Sequence, residues 1–121
     1  MADQTITPIE LTEATLCTDL LDECAALTTT NDGIVALPKD GKGVLLMKIT
    51  TKGTTGTITL KAGDYFRKDA GDTELSTSAF TDDDWTAVVV ESARYKDSDG
   101  NLTIDLGGSG TEVSAAFITL P

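Results

Sequence analysis

Val44-Leu45-Leu46-Met47-Lys48-Ile49-Thr50 and, past the turn Gly53-Thr54-Thr55-Gly56, Thr57-Ile58-Thr59-Leu60-Lys61 carry the plainest structural signal in this 121-residue chain. In the second run, Ile58 and Leu60 alternate with Thr57, Thr59 and Lys61. That period of two belongs to a strand with one buried face. In the first run, Leu45, Met47 and Ile49 share one face, while Val44 and Leu46 make the start of the other face apolar too. A strand apolar on both faces is expected in the middle of a sheet. A short glycine-bearing loop between two such runs predicts a β-hairpin.

The same pattern recurs on both sides. Ile34-Val35-Ala36-Leu37 reads as a short strand ended by Pro38. Trp85-Thr86-Ala87-Val88-Val89-Val90-Glu91 is nearly continuous in apolar residues, and the whole run, Trp85 included, is expected in the core. Leu102-Thr103-Ile104-Asp105-Leu106 alternates, and Val113 to Leu120 supplies a last strand. Asp97-Ser98-Asp99-Gly100-Asn101 carries the Asp-Gly signal of a hairpin turn, and Gly107-Gly108-Ser109-Gly110 reads as a flexible loop. Thr5 to Leu11 alternates weakly around Pro8, which cannot donate to a ladder, so residues 1–11 form an edge strand or an extended arm. Two stretches resist this reading. Leu16, Leu20, Leu21, Cys24 and Leu27 fall near helical spacing, which suggests a short helix or a loop with one helical turn. Residues 62–84 are polar and irregular, with Tyr65-Phe66 as an anchor and Leu75 and Phe80 in one poorly patterned strand.

Twenty-one threonines, stiff at χ1 and suited to a pleated surface, and eleven glycines at short intervals fit many short strands joined by turns. The expected fold is therefore all-β. It is a β-sandwich of seven or eight short strands, jelly-roll-like in one arrangement, with at most one short helix near residues 13–27. The length suits one domain, 1–121.

Composition narrows function. Nine Lys and Arg against twenty Asp and Glu give a net charge of −11, which repels phosphate backbones and argues against a nucleic-acid partner. No apolar run approaches the roughly 18 residues of a membrane span, so no membrane partner is expected, and the N-terminus lacks a secretory pattern. Histidine is absent, which removes the commonest general base and metal ligand. Cys17 and Cys24, seven apart, would sit about 10.5 Å from each other along a helix. A disulfide tolerates Cα separations of about 4.4–6.8 Å, so both are expected as reduced, small hydrophobes. Asp97 to Asn101 begins like a calcium loop, yet an EF-hand needs Gly at its sixth position and Glu at its twelfth, where Leu102 and Gly108 stand. Asp82-Asp83-Asp84 presents three adjacent acids that cannot all face one way along a strand. A solvated loop that keeps the following apolar strand apart from others explains them without a metal. No enzyme activity, cofactor or metal is expected.

The order of features resembles that of small tailed-phage head decoration (capsid cement) proteins. Ile6-Thr7-Pro8 opens the chain, Asn31-Asp32-Gly33 precedes Leu45-Leu46-Met47-Lys48, and a Gly-Thr-rich run ends in Thr57-Ile58-Thr59-Leu60. Val88-Val89-Val90-Glu91-Ser92-Ala93-Arg94-Tyr95 then enters the acidic-glycine turn, and the chain closes on Ala115-Ala116-Phe117-Ile118-Thr119-Leu120-Pro121. The resemblance implies a virion structural protein that assembles in the host cytoplasm and binds the major capsid protein on the capsid exterior, where proteins of this size occur as trimers or as monomers; a homotrimer on the capsid is the expectation. Tail or head-fibre accessories and carbohydrate-binding modules are the alternatives. Position and charge nominate Ile6, Pro8 and Ile9 of the N-terminal arm, as a strand added to a capsid sheet, and Asp82, Asp83 and Asp84 as the partner contacts.

Overall fold

The computed structural model describes residues 4–10, 25–37, 42–64 and 71–119. They form ten strands: β1 (Gln4–Ile6), β2 (Ile9–Glu10), β3 (Ala25–Thr28), β4 (Gly33–Ala36), β5 (Lys42–Thr51), β6 (Thr54–Leu60), β7 (Thr73–Ser76), β8 (Asp84–Glu91), β9 (Asn101–Ser109) and β10 (Glu112–Thr119). A 3-10 turn at Thr77–Ala79 and a one-turn helix α1 (Ser92–Tyr95) complete them.

The first sheet runs β1-β4-β9-β6-β7 and the second β2-β10-β5-β8. β3 pairs with Glu112–Ala115 of β10, while β2 pairs with Ile118 and Thr119 at the other end of that strand. With β1 and β2 set aside, β4-β9-β6-β7 faces β3-β10-β5-β8. A chain that winds between two four-stranded sheets in this order is a jelly roll. Alternation aims one face of each sheet inward. Val35, Ile58, Leu60, Leu102, Ile104 and Leu106 from the first sheet meet Leu27, Leu45, Met47, Ile49, Val90, Val113, Ala115 and Phe117 from the second in one cluster. Each large side chain buried this way contributes roughly 1.5–3 kcal/mol.

Several expectations are corrected here. β5 lies inside its sheet, between β10 and β8, as its two apolar faces predict. β5 and β6 are nevertheless not a hairpin, since β6 pairs with β7 and β9 in the opposite sheet. The chain crosses at Lys52-Gly53, where Gly53 has φ +69° and a Cβ would lie 2.6 Å from the Ser109 carbonyl. The Lys52 carbonyl accepts hydrogen bonds from the buried hydroxyls of Thr77 (2.6 Å) and Thr111 (3.3 Å), which fix the crossing. The Asp97–Gly100 turn likewise joins α1 to β9 rather than two paired strands. Gly107 to Ser109 continue β9 instead of forming a loop. Leu75 lies in β7, whereas Phe80 follows the 3-10 turn, and both pack against the core.

The far end of the expected helix, Ala25 to Leu27, is strand β3, with Leu27 wholly buried. The rest of that stretch, with Cys17 and Cys24, lies outside the described residues, as do Tyr65 and Phe66. Of the two N-terminal alternatives, residues 4–10 take the edge-strand one rather than the extended arm. β1 closes the edge of the first sheet beside β4, Pro8 spans the gap where no ladder bond is needed, and β2 joins the second sheet.

Candidate functional site

Each sheet has an outer face, and the two differ in chemistry. Across the first sheet, rows of opposed residues read Thr5–Ile34–Thr103, Ser76–Thr57–Gly107 and Glu74–Thr59–Asp105. Lys61 Nζ stands 3.9 Å from Asp105 Oδ2 at the edge of that face. Hydroxyls and charges suit a wetted surface.

Across the second sheet the rows read Ile9–Ile118–Val44–Val89, then Ala116–Leu46–Ala87, then Ala26–Ser114–Lys48–Trp85. The first two rows are wholly apolar; Ala116 is buried within its row, and the open part of the face lies along β8. Val89 is 63% exposed and Trp85 44%, and these are the exposed large apolar side chains among the described residues. They lie on β8 because alternation there sends Thr86, Val88 and Val90 inward and Trp85, Ala87 and Val89 outward. Trp85 is thus not a core residue, and β8 is not a fully buried strand. β8 ends its sheet, so half of its backbone polar groups face away from β5 with no strand against them among the described residues.

Asp82, Asp83 and Asp84 form the turn that launches β8. Asp84 Oδ2 accepts from the Thr81 amide at 2.9 Å, and Asp82 Oδ1 accepts from the Lys52 amide at 3.0 Å. Asp83 takes φ +73°, and its amide donates to the Ile49 carbonyl at 2.7 Å. Its carboxylate stands 3.6 Å from Lys48 Nζ and is 72% exposed. Two of the three acids therefore hold backbone, and the third points to solvent. Among the described residues no group of three His, Cys, Asp or Glu is placed to hold a metal ion. In the Asp97 turn, Oδ1 of Asp97 accepts from the amides of Asp99 and Asn101, both at 2.9 Å, and Gly100 adopts φ +83°. Tyr95, buried beneath that segment, shares a hydrogen bond with Thr73 and lies under the Arg94 guanidinium, 5.1 Å from the ring centre.

The sequence-nominated contacts divide. Ile6 is wholly buried in the core. Pro8 is half-buried between two strands. Ile9 shares the first apolar row of the second sheet, and Asp82 to Asp84 border the same sheet at the Trp85 end of β8. Ala87, Val89 and Leu46 were not nominated, and Trp85 was weighed for a sugar-binding face but assigned to the core. Their signal was present in the apolar second faces of the β5 and β8 runs, which burial explained equally well.

No helix among the described residues is long and apolar enough to cross a membrane. Comparison with protein-family models, with curated proteins and with solved structures gives no match for this chain.

Proposed function

We propose that this chain is a non-enzymatic virion structural protein of a tailed phage, which docks on the major capsid protein through the outer face of its second sheet and stiffens the shell from outside. The carrying observation is the contrast between the two outer faces, one threonine-rich and charged, the other apolar with Val89 and Trp85 open to solvent. A contiguous apolar patch rimmed by polar groups marks a protein contact. The resemblance to decoration proteins supplies the partner. The charge of −11 keeps free subunits apart before assembly and favours the outer surface over one facing packaged DNA. A homotrimer on the shell fits the same reading.

Co-sedimentation with expanded shells of the major capsid protein from the same genome tests this. Saturable binding at a fixed ratio is expected, weakened about tenfold or more (roughly 1.4 kcal/mol) by Val89→Lys and unchanged by Thr59→Lys on the other face. Absence of binding at any salt concentration overturns the capsid reading and moves tail and fibre partners forward. Trp85 also supports a second reading, a carbohydrate-binding module, because an exposed indole can stack on a sugar ring. Glycan titration that shifts Trp85 emission would favour it, and a flat emission would remove it.

A further inference from the structure

The edge strands of this sandwich are unequal. β1 has three residues, β2 two, β3 four and β7 four. β8 has eight. From Trp85 to Val90 it carries no proline, glycine or charge. Its register against β5 is unbroken from Lys42↔Glu91 to Ile49↔Asp84, so no bulge twists it away. Short strands, Pro, Lys and bulges are the devices that keep sheet edges apart, and a long edge without them invites a further strand. The side chains of β8 say which strand fits. Trp85 and Val89, the exposed large apolar residues among those described, lie four apart on the outer face with exposed Ala87 midway. Strands paired antiparallel keep opposed side chains on one face, so odd residues of β8 must meet odd ones. A two-fold axis through Ala87 then lays Trp85 of each copy opposite Val89 of the other. Two small alanines meet on the axis, and Thr86 opposes Val88 on the inner face. Moving the axis by one residue destroys the match. Through Val88 it sets Trp85 against Glu91, and through Thr86 it sets Val89 against Asp83.

We propose that β8 joins β8 of a second copy, antiparallel about a two-fold axis at Ala87, so that the second sheet runs on from one molecule into the next. An isologous contact needs a surface complementary to itself, and β8 is one in this register. Aromatic side chains opposite β-branched ones are among the stabilising cross-strand pairs. At each end Asp83 faces Glu91 of the other copy. Neither acid is bare there, since Lys48 Nζ stands 3.6 Å from Asp83 and Lys42 lies opposite Glu91 on β5. The charge of −11 on each whole molecule still opposes the approach, so pairing tightens as salt screens it. The paired side chains stand on the outer face, which leaves the surface assigned to the capsid open and widens it across two copies. The pairing itself does not depend on that assignment. A two-fold contact closes on two copies; with a homotrimer on the shell it would join copies of neighbouring trimers.

Sedimentation equilibrium of the full chain across a salt series tests this, with Trp85→Glu and Val89→Lys as variants. The parent should form a dimer that tightens with salt. Each variant alone should dimerise about tenfold or more weakly, because both of its Trp–Val pairs are lost. An equimolar mixture of the two should regain dimer. A mixed pair keeps one intact Trp85–Val89 contact and sets the new glutamate against the new lysine. A parent that stays monomeric at every salt concentration overturns the proposal. Self-association that both variants leave unchanged overturns it too, as does a mixture that pairs no better than the variants alone. Hydrogen exchange in the parent gives a reading that needs no variant. The β8 amides should slow as protein concentration rises, and exchange independent of concentration overturns the proposal. Capsid shells play no part in either measurement, so the two readings fail separately. A dimer without shell binding removes the capsid partner, whereas shell binding by a chain that never pairs removes the dimer.

Discussion

At Asp83 one side chain is asked to hold a left-handed backbone, φ +73°, in the turn that starts β8. Aspartate tolerates that region because its short polar side chain can bond locally, whereas a β-branched residue clashes there. Its ion pair with Lys48 is exposed and adds little. Asp83→Gly should therefore leave urea stability within about 0.5 kcal/mol of the parent, and Asp83→Val should lower it by about 1–2 kcal/mol. The reverse order would show that charge, not conformation, selects aspartate. Gly43 poses the opposite problem. It has ordinary φ, yet a Cβ there would drive into the Phe117 ring and the Ile118 carbonyl. Gly43→Ala should cost about 1–3 kcal/mol in the same measurement, the range for overpacking a core.

Among the elements, β1 is small but structural. Ile6 is wholly buried, in contact with the cluster that both sheets share. Ile6→Ala should lower stability by about 2–5 kcal/mol in a denaturant titration, as a large-to-small core change does. Equal stability would return the segment to the status of a free arm. The alternating runs of β5, β6, β9 and β10 were legible in the sequence, because a half-buried strand must show period two. Which sheet each joins was not legible. Alternation reports that one face is buried but not against what, and a glycine turn that reverses a hairpin looks in sequence like Gly53, which carries the chain across the sandwich. β3 was hidden for another reason. Four residues are too few to show a period, and Leu27 matched the helical spacing of Leu20 and Cys24 by chance. β8 was read as core because an apolar second face has one signature whether it meets its own chain or another.

Over the whole molecule, the excess of acid works against the compact state. Twenty acids on a 121-residue chain repel one another in the compact state, and added salt screens that repulsion. From about 0.01 M to about 0.15 M salt the Debye length falls from roughly 30 Å to roughly 8 Å. Over that range the melting temperature should rise by about 2–5 °C, the shift expected of up to about 1 kcal/mol at this size. A melting temperature that falls with salt would mean that attractive pairs such as Lys48–Asp83 outweigh the net repulsion.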